Sequence, residues 1–137
     1  MKVDKLMTTT PISVHLDDTL WTVKETFDHF SFHHLLVVNH EVLCGVISDR
    51  DLLKALSPTL GTAAETSRDL ATLNKKAHQI MTRKLHTLTP DAGIYDAIAI
   101  FVKNEVSCIP IINEKQKPVG IVSWRDILKF IDDRKEK

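Results

Sequence analysis

The chain of 137 residues repeats itself, and this duplication constrains its fold more than any other feature. The tripeptide Leu-Met-Thr at 6–8 returns as Ile-Met-Thr at 80–82, a shift of 81 − 7 = 74 residues. The segment GVISDRDLLK at 45–54 returns as GIVSWRDILK at 120–129, a shift of 120 − 45 = 75 residues. Because both blocks recur in the same order and at nearly the same spacing, the chain contains two copies of one supersecondary unit.

Each copy has the pattern of an extended piece, a helix, two short strands and a final helix. Apolar residues recur every three or four positions in the first helix, and short β-branched runs follow it. The first copy comprises an extended piece at Ser13–His15, a helix through Leu20, Val23, Phe27 and Phe30, strands at Leu35–Val38 and Cys44–Ile47, and a final helix after Ser48. The second copy comprises Thr87–Thr89, a helix through Ile94, Ala97, Ile98, Phe101 and Val102, strands at Ile109–Ile112 and Val119–Val122, and a final helix after Ser123.

The sequence therefore predicts an α+β fold of two β-α-β-β-α repeats. One unit of about 55 residues is marginal alone, so we expect the two copies to pack about a pseudo-twofold axis. We assign residues 1–58 to the first repeat, 59–76 to a linker with a helix over 67–76, and 77–137 to the second repeat. The final helices are expected to bury the following apolar residues: Leu52, Leu53 and Leu56 in the first copy, and Ile127, Leu128 and Ile131 in the second.

Composition and charge argue against several classes of function. Eighteen basic residues balance eighteen acidic ones, so nucleic acid is not an expected partner. The chain has no run of about 18 apolar residues, which argues against a membrane span, and its first ten residues do not resemble a secretory signal. Cys44 and Cys108 form neither a Cys-x-x-Cys pair nor a disulfide framework. We therefore expect a cytoplasmic protein.

The seven histidines do not predict a metal site. His33 and His34 are adjacent, so in a strand they point to opposite faces, and the other five show no ligand spacing. Neither Cys44 nor Cys108 lies near a nucleophile–base pattern, and Cys108 is expected to be a buried small hydrophobe. We predict no catalytic residue and no catalytic cofactor, and hence no enzymatic activity.

The strongest local signal is the motif Gly-h-h-Ser-x-Arg-Asp, where h is apolar, at both strand-to-helix boundaries. Ser48 and Ser123 suit the N-cap, and Asp51 and Asp126 follow three residues later, where a carboxylate favours the helix dipole. The same geometry suits a ligand, because a helix N-terminus attracts an anion. A hydroxyl and an arginine there can bind phosphate, and a carboxylate can accept both hydroxyls of a ribose. The two interpretations are compatible.

This duplicated pattern, with Gly-h-h-[Ser/Thr]-x-x-Asp ending each repeat, resembles the cystathionine-β-synthase-type (CBS) domain family, whose tandem pairs are called Bateman modules. The similarity covers residues 3–56 and 77–131. The resemblance implies two ligand clefts between the repeats, each built from both copies. The first would combine Ser123 and Asp126 with Thr8, Ser13, Phe32 and His33, with Ile121 as a wall for the base. The second would combine Ser48 and Asp51 with Thr82, Thr87, Val106 and Ser107, with Val46 as the wall.

In each cleft the resemblance implies that the aspartate holds the ribose diol and the serine holds the phosphate. Arg50 and Arg125 are candidate phosphate partners, although an exposed arginine commonly forms a salt bridge instead. His33 and His34 stand where the second copy has Ser and Cys. Bulky imidazoles at these positions are expected to narrow the first cleft or to change its charge.

Two further positions distinguish the copies. The family commonly has proline in the central strand, and Pro110 fills that position in the second copy, whereas the first has Leu36. Trp124 stands inside the second motif where Asp49 stands in the first. Its indole either covers the start of the helix or stacks on a base, and we favour the first role.

The resemblance implies a regulatory module that senses an adenosine-containing nucleotide, with AMP, ADP or ATP as the first candidates. The family also binds S-adenosylmethionine, NAD-type dinucleotides and cyclic dinucleotides. A ligand that bridges the repeats would shift a pre-existing equilibrium, and an unidentified partner protein would detect that shift. The alternative is an unliganded scaffold for docking or homodimerisation, since CBS pairs form disc-like dimers through their helices. Substitution of Asp51 and Asp126 separates the two hypotheses.

Overall fold

The computed structural model describes residues 1–135, and its elements follow the predicted order. The first copy contains β1 (Ser13–His15), α1 (Leu20–His29), β2 (His34–Asn39), β3 (Val42–Ser48) and α2 (Asp49–Ala55). The connecting stretch contains α3 (Ser67–Ala71), a 3₁₀ turn (Thr72–Asn74) and α4 (Ala77–Ile80). The second copy contains α5 (Ile94–Lys103), β4 (Cys108–Ile112), β5 (Pro118–Ser123) and α6 (Trp124–Lys135), and a 3₁₀ turn (Val3–Lys5) opens the chain.

The extended piece that opens each copy forms a strand only in the first. There β1 runs parallel to β2 in a three-stranded sheet of order β1-β2-β3, and the N–H of Leu36 donates to the carbonyl of Ile12 at 3.0 Å. In the second copy Pro110 replaces Leu36 and has no N–H to donate. Only an isolated parallel bridge between Leu88 and Ile111 remains, so β4 and β5 form a two-stranded antiparallel sheet.

The chain divides into two compact units that are not contiguous in sequence. Unit 1 contains residues 1–11, 41–43 and the chain from Leu85 onward. Unit 2 contains residues 12–40 and 44–84. Each unit therefore combines most of one repeat with the residues that open the other repeat. We call these opening residues the leading segment of that repeat. The repeat boundaries at 58 and 77 describe the duplication in the sequence and stay a prediction as structural domains.

Equivalent backbone hydrogen bonds hold the leading segment in each unit. In unit 2 the N–H of Leu20 donates to the carbonyl of Lys75 at 2.8 Å, and the N–H of Ala77 donates to the carbonyl of Asp18 at 2.8 Å. In unit 1 the matching donors are Ile94, to Met1 at 2.9 Å, and Val3, to Ala92 at 2.9 Å. The same pair of backbone hydrogen bonds therefore holds the leading segment of the other repeat in each unit.

Each unit has a core of its own. The core of unit 2 consists of Val14, Leu20, Val23, Leu35, Val37, Ile47, Leu52, Leu73, Ala77 and Met81. The core of unit 1 consists of Val3, Ile94, Ala97, Phe101, Ile109, Ile111, Val122 and Ile127. Leu73 comes from the predicted linker and is 1% exposed. Part of the linker is therefore an integral element of unit 2.

Three positions of the final helices that were predicted to be buried, Leu53, Leu128 and Ile131, are exposed, and for these the prediction is wrong. Leu53 and Leu128 each directly follow a buried residue on a helix, so they lie about 100° around the helix axis from it, and the exposed Val102 on α5 follows Phe101 in the same way. Ile131 lies one turn beyond Ile127, where Phe130 packs against the core instead. These side chains leave apolar surface on α2, α5 and α6.

A buried carboxylate organises the linker. Asp69 is 9% exposed and accepts hydrogen bonds from the hydroxyls of Ser57 at 2.5 Å and Thr59 at 2.6 Å, and from the N–H of Thr66 at 2.8 Å. These bonds, with that from Ser57 contributing most, lower the pKa of Asp69 to about 2. The helix predicted over 67–76 is therefore the capped helix α3 followed by a 3₁₀ turn.

Within residues 1–135, no helix combines the length and the apolar composition that a bilayer span requires.

Candidate functional site

The repeated motif forms two strand-to-helix junctions, which we name the Ser48 junction (residues 45–51) and the Ser123 junction (residues 120–126). The Oγ atom of Ser48 accepts the N–H of Asp51 at 3.1 Å, and Oδ2 of Asp51 accepts the N–H of Ser48 at 2.9 Å. At the other junction, Oδ2 of Asp126 accepts the N–H of Ser123 at 2.7 Å and its hydroxyl at 3.1 Å. The predicted capping role of both motifs is confirmed.

The leading segments bring a threonine to each junction. Thr82 and Val46 exchange backbone hydrogen bonds at 3.1 and 2.9 Å, and Thr8 and Ile121 do so at 2.9 and 3.1 Å. Both threonines are exposed. Within one compact unit, each junction thus joins residues from both sequence repeats. Thr8 lies beside Ile121 and Thr82 beside Val46, the pairings that the resemblance implied.

The glycine of each motif permits this close approach. A Cβ atom on Gly45 would lie 2.5 Å from Sδ of Met81, and one on Gly120 would lie closer still to Sδ of Met7. A larger residue would therefore displace the leading segment from the junction. The two recurring sequence blocks, Met-Thr and Gly-h-h-Ser, are therefore in contact at each junction of the folded chain.

At the Ser48 junction, the first residue of α2 is linked to the residue that precedes β2. Nδ1 of His33 lies 2.9 Å from Oδ2 of Asp49, and the N–H of Asp49 donates to the carbonyl of His33 at 3.0 Å. The side-chain hydrogen bond with His33 is the main cause of the lowered pKa of Asp49. Burial lowers the pKa of His34, although the nearby charge of Asp49 acts in the opposite direction. This junction therefore concentrates ionisable groups.

At the Ser123 junction, an indole occupies the position of Asp49. Nε1–H of Trp124 donates to the carbonyl of Val106 at 3.1 Å, and the ring centroids of Trp124 and Phe101 are 5.7 Å apart. The indole packs beside the start of α6, as expected for its first role, and stacking on a base stays a prediction. Cys108 is buried, as predicted, and burial raises the pKa of its thiol to about 12.

The remaining predicted site residues divide between the two units. Arg50 and Arg125 are exposed, and neither forms a salt bridge with another described residue. Their assignment, and that of the others, to the two clefts stays a prediction. Those in unit 2 are Ser13, Phe32 and His33, and those in unit 1 are Thr87, Val106 and Ser107. Within the described residues, no three His, Cys, Asp or Glu side chains are grouped so as to hold a metal ion.

The sequence interpretation missed two kinds of contact at the junctions. The packing of Met7 on Gly120 and of Met81 on Gly45 has a signal, because both residues recur at the repeat shift. The pair between His33 and Asp49 has none, because the second copy carries different residues at both positions.

Comparison with known families and structures agrees with these features. The family model for the CBS domain matches residues 3–58 and 77–133. The match covers more than half of the chain, so the chain belongs to the CBS domain family. The predicted family and the α+β fold of two β-α-β-β-α repeats are confirmed.

Two curated relatives are longer than this chain. An uncharacterized protein, MJ1232 of Methanocaldococcus jannaschii, is 31% identical over 116 residues, covering 82% of this chain and 34% of the relative. The inosine-5'-monophosphate dehydrogenase of the same organism is 28% identical over 129 residues, covering 93% of this chain and 23% of the enzyme. The chain thus spans well under half the length of these two relatives.

Solved structures of CBS pairs share the fold. The CBS domain pair of protein MJ0100, in complex with 5'-methylthioadenosine and S-adenosyl-L-methionine, has a TM-score of 0.80 at 24% identity and covers 98% of both chains. The cytosolic domain of the Mg²⁺ channel MgtE, in complex with ATP, has a TM-score of 0.74 at 21% identity, over 94% of this chain and 48% of that one. Both of these solved structures contain an adenosine-containing ligand.

Proposed function

We propose that the chain is a regulatory module that binds an adenosine-containing ligand at the Ser48 and Ser123 junctions, with AMP, ADP or ATP as the ligand. One observation supports this most directly. Each junction places a Ser-x-x-Asp helix start from one repeat beside an exposed threonine from the other. The solved CBS pairs that contain 5'-methylthioadenosine, S-adenosyl-L-methionine or ATP support the chemical class.

The residues at each junction suit the parts of such a ligand. The carboxylate of Asp51 or Asp126 accepts the two hydroxyls of the ribose, and the serine hydroxyl binds phosphate. Arg50 and Arg125 are exposed and lack a salt-bridge partner among the described residues, which supports a role as phosphate partners. The following residues complete the two proposed clefts: Thr8, Ser13, Phe32, His33 and Ile121 for the first, and Val46, Thr82, Thr87, Val106 and Ser107 for the second.

Ligand binding would regulate by selecting one arrangement of the chain. A ligand that contacts Thr82 and Asp51 touches both repeats, so it binds best where these residues lie together and shifts a pre-existing equilibrium toward that arrangement. A partner protein then detects the shift. This role requires no catalytic group in the chain. We also propose a cytoplasmic location, where adenine nucleotides are available and a reducing environment suits Cys44 and Cys108, which form no disulfide with each other.

Thermal unfolding in the presence of ligands tests this proposal. The panel is AMP, ADP, ATP, NAD, S-adenosylmethionine and cyclic di-AMP, with GMP and GTP as controls. A ligand at 100 times its dissociation constant adds about 2.7 kcal/mol of stability, which raises the melting temperature of a chain this size by several degrees. Adenosine compounds should raise it and guanosine compounds should not. If no adenosine compound at millimolar concentration changes the melting temperature, the proposal fails.

Variants at the aspartates locate the response. Asp51→Ala and Asp126→Ala should each reduce the ligand-induced shift, measured from the melting temperature of that variant without ligand. Both substitutions also remove a helix cap, so a matched control is needed. Asp96→Ala provides it, because Oδ2 of Asp96 accepts the N–H of Gly93 at 2.9 Å at the start of α5, outside either junction. The Asp96 variant should lose stability and keep the full ligand-induced shift.

A docking or homodimerisation scaffold is the second candidate function. Exposed apolar side chains favour it: Leu53 on α2, Tyr95 and Val102 on α5, and Leu128 and Ile131 on α6. If these residues form a dimer contact, then Leu128→Glu combined with Ile131→Glu should halve the mass measured by light scattering. Lys129→Glu, between them, should leave the mass unchanged. A monomeric wild-type chain would argue against homodimerisation.

A further inference from the structure

The two junctions carry different charge at one equivalent position. The first residue of α2 is Asp49, and the first residue of α6 is Trp124. The next two residues, arginine and aspartate, are the same in both motifs. The Ser48 junction therefore carries one more negative charge than the Ser123 junction, at the end of the helix where a phosphate would approach.

Contacts hold the carboxylate of Asp49 at the Ser48 junction. Its Oδ2 lies 2.9 Å from Nδ1 of His33, and its own N–H donates to the carbonyl of His33. The side-chain hydrogen bond with His33 is the main cause of the lowered pKa of Asp49, so this carboxylate stays ionised at neutral pH. His34, a second imidazole near Asp49, is half-buried. The cation of Arg83, which follows Thr82, donates to the carbonyl of His78 at 2.9 Å.

The Ser123 junction has the opposite character. The indole of Trp124 is uncharged, and its N–H is used by the carbonyl of Val106. The helix α6 that begins there has twelve residues, and its positive dipole end faces no carboxylate at the first helical position. Arg125 follows and is exposed. A phosphate at this junction would meet the helix dipole and a guanidinium without an opposing Asp49.

We infer that the two junctions select ligands of different charge, with Asp49 and Trp124 as the residues that determine this selectivity. The Ser123 junction binds an adenosine phosphate more tightly than the Ser48 junction does, and the Ser48 junction favours an adenosine compound without a phosphate group, such as a thioether. This inference rests on the proposed function. The additional carboxylate lowers the affinity of the Ser48 junction for a nucleotide by a factor on the order of three to ten, as expected for two partly screened charges.

Calorimetric titration of the full chain at about pH 8 tests the inference, with AMP and 5'-methylthioadenosine as probes. We expect AMP to bind tightly at one site, which Asp126→Ala abolishes and Asp51→Ala leaves intact. We expect 5'-methylthioadenosine to bind a site that Asp51→Ala abolishes. Asp49→Asn keeps the size of the side chain and removes its charge. This variant should raise the affinity of the Ser48 junction for AMP about three- to tenfold and leave the affinity for 5'-methylthioadenosine unchanged.

Controls separate charge from structure and separate this inference from the proposed function. Asp133→Asn removes an exposed carboxylate of α6 and should change neither affinity. High salt should shrink the difference between wild type and Asp49→Asn, because the effect is electrostatic. Equal binding of AMP at both junctions, or an equal change for both probes in Asp49→Asn, would overturn the inference alone. Absence of binding by every adenosine compound would overturn the proposed function with it.

Discussion

The Ser48 and Ser123 junctions share a frame and differ in what is attached to it. Both have a glycine packed against a methionine of the exchanged segment, and both have a serine and an aspartate in a helix cap. They differ in the first helical residue, Asp49 or Trp124, and in the hydrogen bond that this residue makes to the segment before β2 or β4, with His33 or Val106 respectively. The comparison shows which positions the fold requires and which are available to specialise each site.

The two units also differ in how they treat the residues between the repeats. Unit 2 includes the linker, whose Leu73 enters its core and whose Asp69 ties the hydroxyls of Ser57 and Thr59 to α3. Unit 1 contains no part of this stretch. The linker is therefore a part of unit 2 and can be perturbed separately from the frame that both junctions share.

The largest expected effect comes from breaking that frame. Gly45→Ala and Gly120→Ala should each lower the free energy of unfolding by about 1–3 kcal/mol, because the new methyl group overlaps Met81 or Met7. Urea denaturation measures this. Gly93→Ala is the matched control, because its Cβ would meet nothing nearer than Oδ2 of Asp96 at 3.5 Å. A loss no larger than that of the control would contradict the close packing.

Double substitution sharpens the same comparison. The three atoms nearest to a Cβ on Gly45 all belong to the Met81 side chain, whereas a Cβ on Gly120 would also lie 3.1 Å from the backbone oxygen of Thr8. Met81→Ala should therefore relieve Gly45→Ala more fully than Met7→Ala relieves Gly120→Ala. Coupling energies from the two double-mutant cycles test this, and equal coupling would show that the two frames are packed alike.

The next effect concerns the linker and is confined to unit 2. Asp69→Asn should lower the melting temperature by several degrees, because an amide cannot accept all the bonds that the carboxylate accepts. The folded-state pKa of Asp69 is about 2, below the ordinary value near 3.9. Its contribution is therefore present above about pH 4 and is lost as the pH falls through 2. Unfolding measured from pH 5 to pH 2 should show this loss in the wild type only.

The two links at the helix starts should differ in strength. Trp124→Phe keeps a ring against Phe101 and removes the N–H bond to Val106, so it should cost about 0.5–1.5 kcal/mol. Asp49→Asn breaks an exposed pair with His33 and should change stability by less than about 0.5 kcal/mol. Urea denaturation distinguishes them. If Asp49→Asn costs as much as Trp124→Phe, the exposed pair has a structural role that its surroundings do not indicate.

The smallest effect is the proton dependence of His34, which the second copy lacks. Burial lowers its folded-state pKa, so folding favours the neutral imidazole. Its contribution is present above the ordinary value of about 6.5 and is lost as the pH falls below it. His34→Gln should make stability between about pH 6.5 and pH 5.5 less dependent on pH. The control His29→Gln, at an exposed position, should keep the wild-type dependence.

Sequence patterns were sufficient to predict the elements that form through interactions between residues close together in the chain. The periodicity around Leu20 and Ile94, the β-branched runs and the Ser-x-x-Asp caps all act within a few residues, so the helices, strands and caps follow from them. The resemblance supplied the pairing of Thr8 and Thr82 with the opposite motifs. Local pattern alone does not reveal it, since the partners are separated by many residues.

Other features depend on packing that periodicity does not encode. Leu53 and Leu128 are apolar helix residues, and only the direction of the core shows that they are exposed. The role of Asp69 requires Ser57 and Thr59 to fold back on it, which no motif indicates. Pro110 differs from these cases, because the sequence itself shows that a proline has no N–H to donate. This missing N–H accounts for the two-stranded sheet of the second copy beside the three-stranded sheet of the first.

Methyl NMR of the methionines tests the central claim, ligand binding at the junctions, most directly. The chain has three methionines: Met7 lies against Gly120, Met81 lies against Gly45, and the exposed Met1 is an internal reference. On titration with AMP, the account predicts a saturable shift of the Met7 methyl signal, a smaller shift for Met81 and none for Met1. If Met7 and Met81 both keep their positions at millimolar AMP, ATP and 5'-methylthioadenosine while the chain stays folded, the junctions are not adenosine sites and the account is wrong.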